Sequence, residues 1–341
     1  MRVLKSLIAL GLVVAILGAA GLGFGWFWLQ NAVGTPGTHI QETEFTVERG
    51  EGLASVATRL ENAGLIADMR VLRLQARLDG TESDIKAGSY VIPARASISE
   101  ILSQLVDGDV IEFRLTIPEG LTTAQILRRV EAAENLVGDM PEREFEEGML
   151  LPDTYAFGAG TSRTQFLERM ETAQDALLEQ LWESRQDDLP ISTPYEAVIL
   201  ASVVEKETAN AEERPLVAGL FVGRLKKGMR LESDPTIIYG VSQGEPLYNR
   251  RGERRTLYRS EIDRVTDWNT YQIDGLPKTP ICNPGRDAIA AVLNPPETDY
   301  VFFVADGKGG HLFAETYAEH QRNVAAYRAY ERGEIARERG N

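Results

Sequence analysis

Residues 6–41 contain no Asp, Glu, Lys or Arg, and residues 7–29 form an unbroken apolar run long enough to cross a bilayer as one helix. The pattern then changes. Residues 31–41, with Gly34, Pro36 and Gly37, read as a linker. Phe45-Thr46-Val47 alternates towards Gly50 as a strand does. Leu53, Val56, Ala57 and Leu60 recur at helical spacing, with Gly64 as the stop. Leu72, Leu74, Ala76 and Leu78 suggest a second helix, and residues 88–93 a closing strand. Ile98, Ile101, Leu102 and Leu105 form an apolar helical stripe, most simply core. Residues 110–117 alternate, Pro118-Glu119-Gly120 is a turn, and Ile126, Leu127 and Val130 mark another helix. A long helix is expected over 163–185. Residues 300–304 and 311–313 read as hairpin strands joined through Asp306-Gly307.

One helix stands apart. Thr193 can cap it, Pro194 suits its first turn and Glu196 completes a capping box. Its body is apolar on nearly every side, yet it carries Glu205 and Glu207. A carboxylate there is expensive, because burial disfavours its charged form and raises its pKa. A raised pKa is what a general acid needs near neutral pH. Residues three and four away share a face. Those of Glu205 are Ala201, Ser202, Thr208 and Ala209, all small, which leaves room for a substrate. Glu207 meets Val203 and Val204, so it is expected to point to solvent or to pair with Arg214. The competing reading of Glu205 is a structural carboxylate tied to backbone N–H groups or a cation.

Charge and composition narrow the class. The net charge is −15, and Arg2 and Lys5 lie ahead of the apolar run, so the remainder is more acidic still. Such a surface repels nucleic acid and anionic headgroups. The same two cations place the N-terminus in the cytoplasm and the bulk outside, with Trp26, Phe27 and Trp28 as an interfacial belt. Gly18-Ala19-Ala20 resembles a signal-peptide cleavage site, but the apolar run continues past it, which favours an uncleaved anchor. Cys282 is the sole cysteine, so no intramolecular disulfide is expected. Three histidines and that cysteine show no metal-ligand spacing; no metal and no cofactor is expected.

The stretch from residue 190 onward holds the other candidate chemistry. Leu231 to Thr236 reads as a polar turn, and Trp268-Asn269-Thr270-Tyr271 sets polar and aromatic groups together, as sugar sites do. Ser233, Asp234, Thr236, Asn269 and Tyr271 are the candidate substrate-binding residues. Asp234 and Glu232 are also candidates for a second carboxylate, against a plain turn cap at Asp234. Tyr239 reads as core. His311 falls on the hairpin and His320 on a C-terminal helix, which argues against either as the base.

These residues carry a resemblance. Leu151-Pro152-Asp153-Thr154-Tyr155, Ala201 to Thr208, Gly228 to Gly240, Asn269-Thr270-Tyr271, Gly275-Leu276-Pro277, Asn283-Pro284-Gly285 and Phe303 to His311 resemble, in order, the endolytic peptidoglycan transglycosylases (the MltG or YceG-like family). Trp268 stands where the family usually has Tyr, and residues 243–259 are unusually basic and long. Phe45-Thr46-Val47, Gly50, Leu53, Ala57 and residues 88–93 look like a LysM-type module, with Glu51 and Gly52 in place of the usual Asp-Thr.

Strands and helices alternate irregularly, with antiparallel hairpin signals and no Rossmann fingerprint, so the pattern predicts an α+β protein in several domains: an N-terminal transmembrane helix, a LysM-like module and a mixed α+β catalytic domain. The expected divisions are 1–30 tip and membrane helix, 31–42 linker, 43–95 LysM-like, 96–188 intermediate and 189–341 catalytic. The resemblance implies cleavage of the bond from N-acetylmuramic acid to N-acetylglucosamine within glycan strands, leaving 1,6-anhydro ends, with Glu205 as acid and then base. The implied setting is a single-pass protein of the cytoplasmic membrane with its catalytic part outside. Its implied partners are glycan strands and cell-wall synthases, and its implied role is ending strand elongation. A muramidase using Glu205 and Asp234, or a non-catalytic glycan-binding scaffold, are the alternatives.

Overall fold

The computed structural model describes residues 2–340, and side chains over residues 10–333. The side chains of Arg2 and Lys5, on which the orientation expectation rests, lie outside the described residues. The chain forms two compact units. One comprises residues up to 113 together with 156–161; the other comprises 114–155 together with 162 onward.

The first unit begins with helix α1 (Arg2–Gly34), whose apolar length is compatible with a single-pass membrane anchor. It does not give way to a free linker at residue 31. Leu29 and Val33, one turn apart, are 3% and 4% exposed and join the unit's core. Beyond the helix end, Gly37 N–H donates to Arg95 O at 3.0 Å, and Arg95 N–H donates to His39 O at 2.8 Å. The anchor pattern hid this, because an apolar residue reads alike whether it faces lipid or a protein core.

Strand β1 (Thr43–Val47), helices α2 (Leu53–Asn62) and α3 (Met69–Asp79), and strand β2 (Gly88–Ile92) follow in the order the pattern predicts. β1 and β2 pair antiparallel with Phe45 opposite Tyr90. Asp68 caps α3 by accepting from Arg70 N–H at 2.7 Å, and Gly80, at φ 72°, ends it. Helix α4 (Ile98–Asp107) opens with a reciprocal Ser97–Glu100 capping box. Its Ile98, Ile101, Leu102 and Leu105 stripe enters the same core as Val56, Ala57 and Leu60 of α2. Each such buried Val, Leu or Ile side chain contributes about 1.5–3 kcal/mol. The body is therefore β-α-α-β-α, and the expected boundary at residue 95 falls inside one core.

Next come strand β3 (Glu112–Thr116), helix α5 (Thr123–Glu131), strand β4 (Thr154–Gly158) and helix α6 (Arg163–Glu183). β3 and β4 pair as a two-stranded sheet. The second unit is built around α7 (Pro194–Glu207), which packs with α8 (Arg214–Lys226) and α11 (Arg286–Leu293). Residues 197–204 are buried without a break. Thr193 caps α7 by accepting from Glu196 N–H at 3.2 Å, but the Glu196 carboxylate takes the N–H of Ser192 rather than that of Thr193, so the expected box is not closed. Helices α9 (Asp234–Ser242) and α10 (Arg259–Ile262) lie between α8 and α11. Strands β5 (Phe302–Ala305) and β6 (His311–Ala314) form the antiparallel hairpin before α12 (Tyr317–Gly340). The Asp306 carboxylate closes that hairpin by accepting from Lys308 and Gly310 N–H at 2.6 and 2.9 Å. The protein is thus mixed α+β.

Candidate active site

Because α7 is buried on every face, its last turn delivers side chains to a fixed place. Glu205 emerges there with its side chain 7% exposed. The room beside it is real, but the protein's own chain occupies it. Ser202 Oγ accepts from Ile281 N–H at 2.9 Å and donates to Ile199 O at 2.7 Å, so the 281–285 segment lies along that face. The segment ends at Gly285, which precedes α11 and donates its N–H to Glu205 Oε2 at 3.2 Å. An N–H at a helix N-terminus favours a carboxylate.

Glu119 completes the surroundings. Its turn is clamped by Asn283, whose carbonyl accepts from Gly120 N–H at 3.0 Å and whose N–H donates to Leu121 O at 2.8 Å. The Glu119 carboxyl lies where a β-carbon on Gly285 would stand, 1.7 Å from its Oε1, so only glycine leaves it this place. Lys206 Nζ reaches over to donate to Gly120 O at 3.1 Å. Arg214, itself buried, serves three acids: Nη2 lies 3.6 Å from Glu119 and 3.9 Å from Glu205, and Nη1 lies 3.5 Å from Asp287. Burial raises the Glu205 pKa, and the charge of Glu119 raises it further; Gly285, Arg214 and Lys206 oppose them, and the net shift is upward. In the sequence Glu119 shows only turn chemistry. Pro-Glu-Gly looks the same whether its acid faces solvent or a buried neighbour.

Beneath the turn, Asn283 donates through Nδ2 to Glu147 and Thr123 at 3.1 Å, while its Oδ1 accepts from Leu150 N–H at 2.9 Å. Half-buried Glu147 also accepts from Thr123 N–H at 2.7 Å and from the Tyr239 hydroxyl at 3.0 Å. Tyr239 is core, as its pattern suggested. This network fixes the position of residues 119–121 from below.

Glu207 corrects an expectation. It neither meets solvent nor pairs with Arg214; it turns inward and accepts a hydrogen bond from Ser233 Oγ. Burial pushes its pKa up to about 7. Its polar partner, Ser233, comes from a distant segment that the local helix pattern does not reveal.

The five candidate sugar-binding residues fall in two adjoining hydrogen-bonded sets, Ser233 and Thr236 with Thr270, and Asn269 with Tyr271 and Asp234. Thr270 Oγ1 accepts from Ser233 N–H at 3.0 Å and lies 2.9 Å from Thr236 Oγ1. Asn269 directs Nδ2 to Ile262 O at 2.9 Å and Arg264 O at 2.6 Å, and its Oδ1 takes Tyr271 N–H at 3.0 Å. Ser233, Thr236 and Asn269 are buried, with these polar atoms engaged by the protein itself. Asp234 is exposed at the first turn of α9 and accepts from the Tyr271 hydroxyl at 2.9 Å. Glu232 is bound to Arg224 at 3.0 Å. His311 pairs with Glu213 at 2.8 Å, and His320 stacks on Phe302. None of these polar contacts involves Glu205.

Residues 45–326 match the YceG-like family. A protein of Streptococcus pneumoniae called endolytic murein transglycosylase is 28% identical over 95% of this chain, which spans 65% of that relative's length. A Bacillus subtilis protein of the same name is 25% identical over 82% of this chain and 83% of its own. A crystal structure of a YceG-like protein from Listeria monocytogenes is 24% identical, covering 83% of this chain and 99% of its own, at a TM-score of 0.49.

Proposed function

From the YceG-like family, to which this chain belongs, and from the setting of Glu205, we propose a membrane-anchored endolytic murein transglycosylase. The observation that carries the reading is a nearly buried carboxyl with a raised pKa, held on one oxygen by Gly285 N–H and flanked by Glu119 and Arg214. The raised pKa keeps Glu205 protonated further towards neutral pH. It then gives its proton to the glycosidic oxygen between N-acetylmuramic acid and N-acetylglucosamine as the bond to the anomeric carbon breaks.

The resulting carboxylate takes the proton of the muramic acid 6-hydroxyl. That oxygen bonds to the anomeric carbon and closes the 1,6-anhydro ring. No water is consumed, and Glu205 ends protonated as it began. Glu119 raises the affinity of Glu205 for the proton, while Arg214 limits the cost of two carboxyls in one place. Asp234 and Tyr271, the more open of the five candidate sugar-binding residues, are the ones we assign to glycan contact, with Ser233, Thr236 and Asn269 shaping the wall behind them. The apolar α1 anchors the protein, N-terminus cytoplasmic and catalytic unit outside, where it ends strand elongation beside cell-wall synthases.

A hydrolytic alternative is favoured by one observation, Glu119, since hydrolases generally use two carboxyl groups. Product ends separate the two. Full-length protein in detergent is incubated with purified glycan strands and the products are weighed by mass spectrometry, with Glu205→Gln as control. Anhydro ends made by the parent alone support the proposal. Reducing ends transfer the assignment to a muramidase, and equal cleavage by Glu205→Gln removes Glu205 from the chemistry.

A further inference from the structure

Lys206, the neighbour of Glu205, also lines a groove of about 350 Å³. Its lining includes Pro235, Ile238, Leu247 and Ile281, with Arg254 on the wall and also Glu245, whose carboxylate is engaged by Arg128. The wall belongs to the segment 243–259, which carries five arginines against two glutamates in a chain of net charge −15. Local sign therefore opposes global sign, and it does so beside the proposed catalytic residue.

The segment is an ordered structure. Ser242 Oγ donates to Glu245 O at 2.6 Å at its base, and Gln125 donates to Gly244 O at 3.4 Å. Tyr248 and Arg254 form a β-bridge, and Asn249 Oδ1 accepts from Arg251 and Glu253 N–H at 2.8 and 3.1 Å. Arg255 is spent, with both terminal nitrogens on the Glu261 carboxylate at 2.7 Å and its plane over the Tyr258 ring. Arg250, Arg251 and Arg254 are exposed, and among the described residues no carboxylate is paired with them.

We infer that this groove, with Arg254 on its lining and Arg250 and Arg251 exposed on the same segment, binds a carboxylate-bearing peptide carried on the glycan beside the bond that Glu205 cuts. A guanidinium offers a planar fork that matches a carboxylate. The apolar floor suits the methyl and methylene groups of short peptide side chains. A bare neutral sugar uses neither. The inference rests on the reading of Glu205 as the cutting residue, since it places the peptide on a sugar at that bond.

The test compares peptide-bearing glycan strands with the same strands stripped by an amidase, using full-length protein in detergent. The parent is expected to cut peptide-bearing strands about threefold to tenfold faster in kcat/KM, the range exposed charge pairs supply. The preference disappears in Arg250→Gln/Arg251→Gln/Arg254→Gln and shrinks in about 0.5 M salt. Equal rates on both substrates by the parent, or a preference kept in full by the triple variant, overturn the groove and leave the Glu205 reading standing. Binding gives an independent reading: in Glu205→Gln, a disaccharide-peptide should bind more tightly than the bare disaccharide. Equal binding overturns the inference even where no strand is cut, and so does competition by polyphosphate as strong as by the disaccharide-peptide, which would mean charge attraction alone.

Discussion

The N–H of Gly285 and the carboxyl of Glu205 meet at 3.2 Å, and the same glycine leaves the space that the Glu119 carboxyl fills. One residue thus places both acids. Gly285→Ala keeps an allowed backbone, since φ is −74° and ψ 168°. Its new methyl displaces only the flexible end of Glu119. The variant should melt close to the parent while strand cleavage falls about tenfold or more, as misplaced groups in active sites do. Thermal melting alongside product release checks this.

Glu119→Gln removes a like charge that raises the Glu205 pKa. A general acid must hold its proton, so activity is lost as pH rises through the Glu205 pKa. Without the neighbouring charge that pKa falls, and the alkaline limb of the kcat/KM profile moves to lower pH. A limb left in place would detach Glu119 from the protonation of Glu205.

Arg214→Met acts in the opposite direction. It removes a cation that lowers the Glu205 pKa, so the alkaline limb moves to higher pH. Removing the buried guanidinium should also cost about 1–2 kcal/mol at neutral pH, less than a fully buried pair because Glu119 and Asp287 remain substantially exposed. Calorimetry and the pH profile together measure both effects.

Glu207 makes stability depend on pH. Its folded pKa is pushed up to about 7, above the ordinary carboxyl value of 4.5. The native state therefore binds the proton more tightly than the unfolded chain. That contribution is fully present below pH 4.5 and is lost as pH rises through about 7. Glu207→Gln should remove the dependence, gaining on the parent between pH 5 and 8 by up to about 3 kcal/mol. Melting both proteins across that window would show a constant difference if Glu207 titrates normally.

The sequence disclosed α7 readily, because a helix hydrophobic on every face and capped at Thr193 has few other interpretations, and a carboxyl at its end stands out. Glu119, Gly285 and the shared Arg214 were hidden for a common reason. Each belongs to a turn or a helix start whose residue types satisfy local backbone needs, so nothing local points to Glu205. Ser233, Thr236 and Asn269 show the converse. Hydroxyl and amide side chains near aromatics look like a sugar site, yet here they knit 262–271 to the start of α9. Local pattern reports which residues are polar and not which partner they choose.

The burial of Leu29 and Val33 has a mechanical consequence. With α1 set in a bilayer, the first unit has no slack tether to play out. In that setting it would stand on the membrane as a column stands on its base, and any tilt of the helix would become a tilt of the whole unit. Lengthening the chain after Gly34 would then leave the unit's height above the lipid unchanged, whereas unseating Val33 with a charged residue would release it.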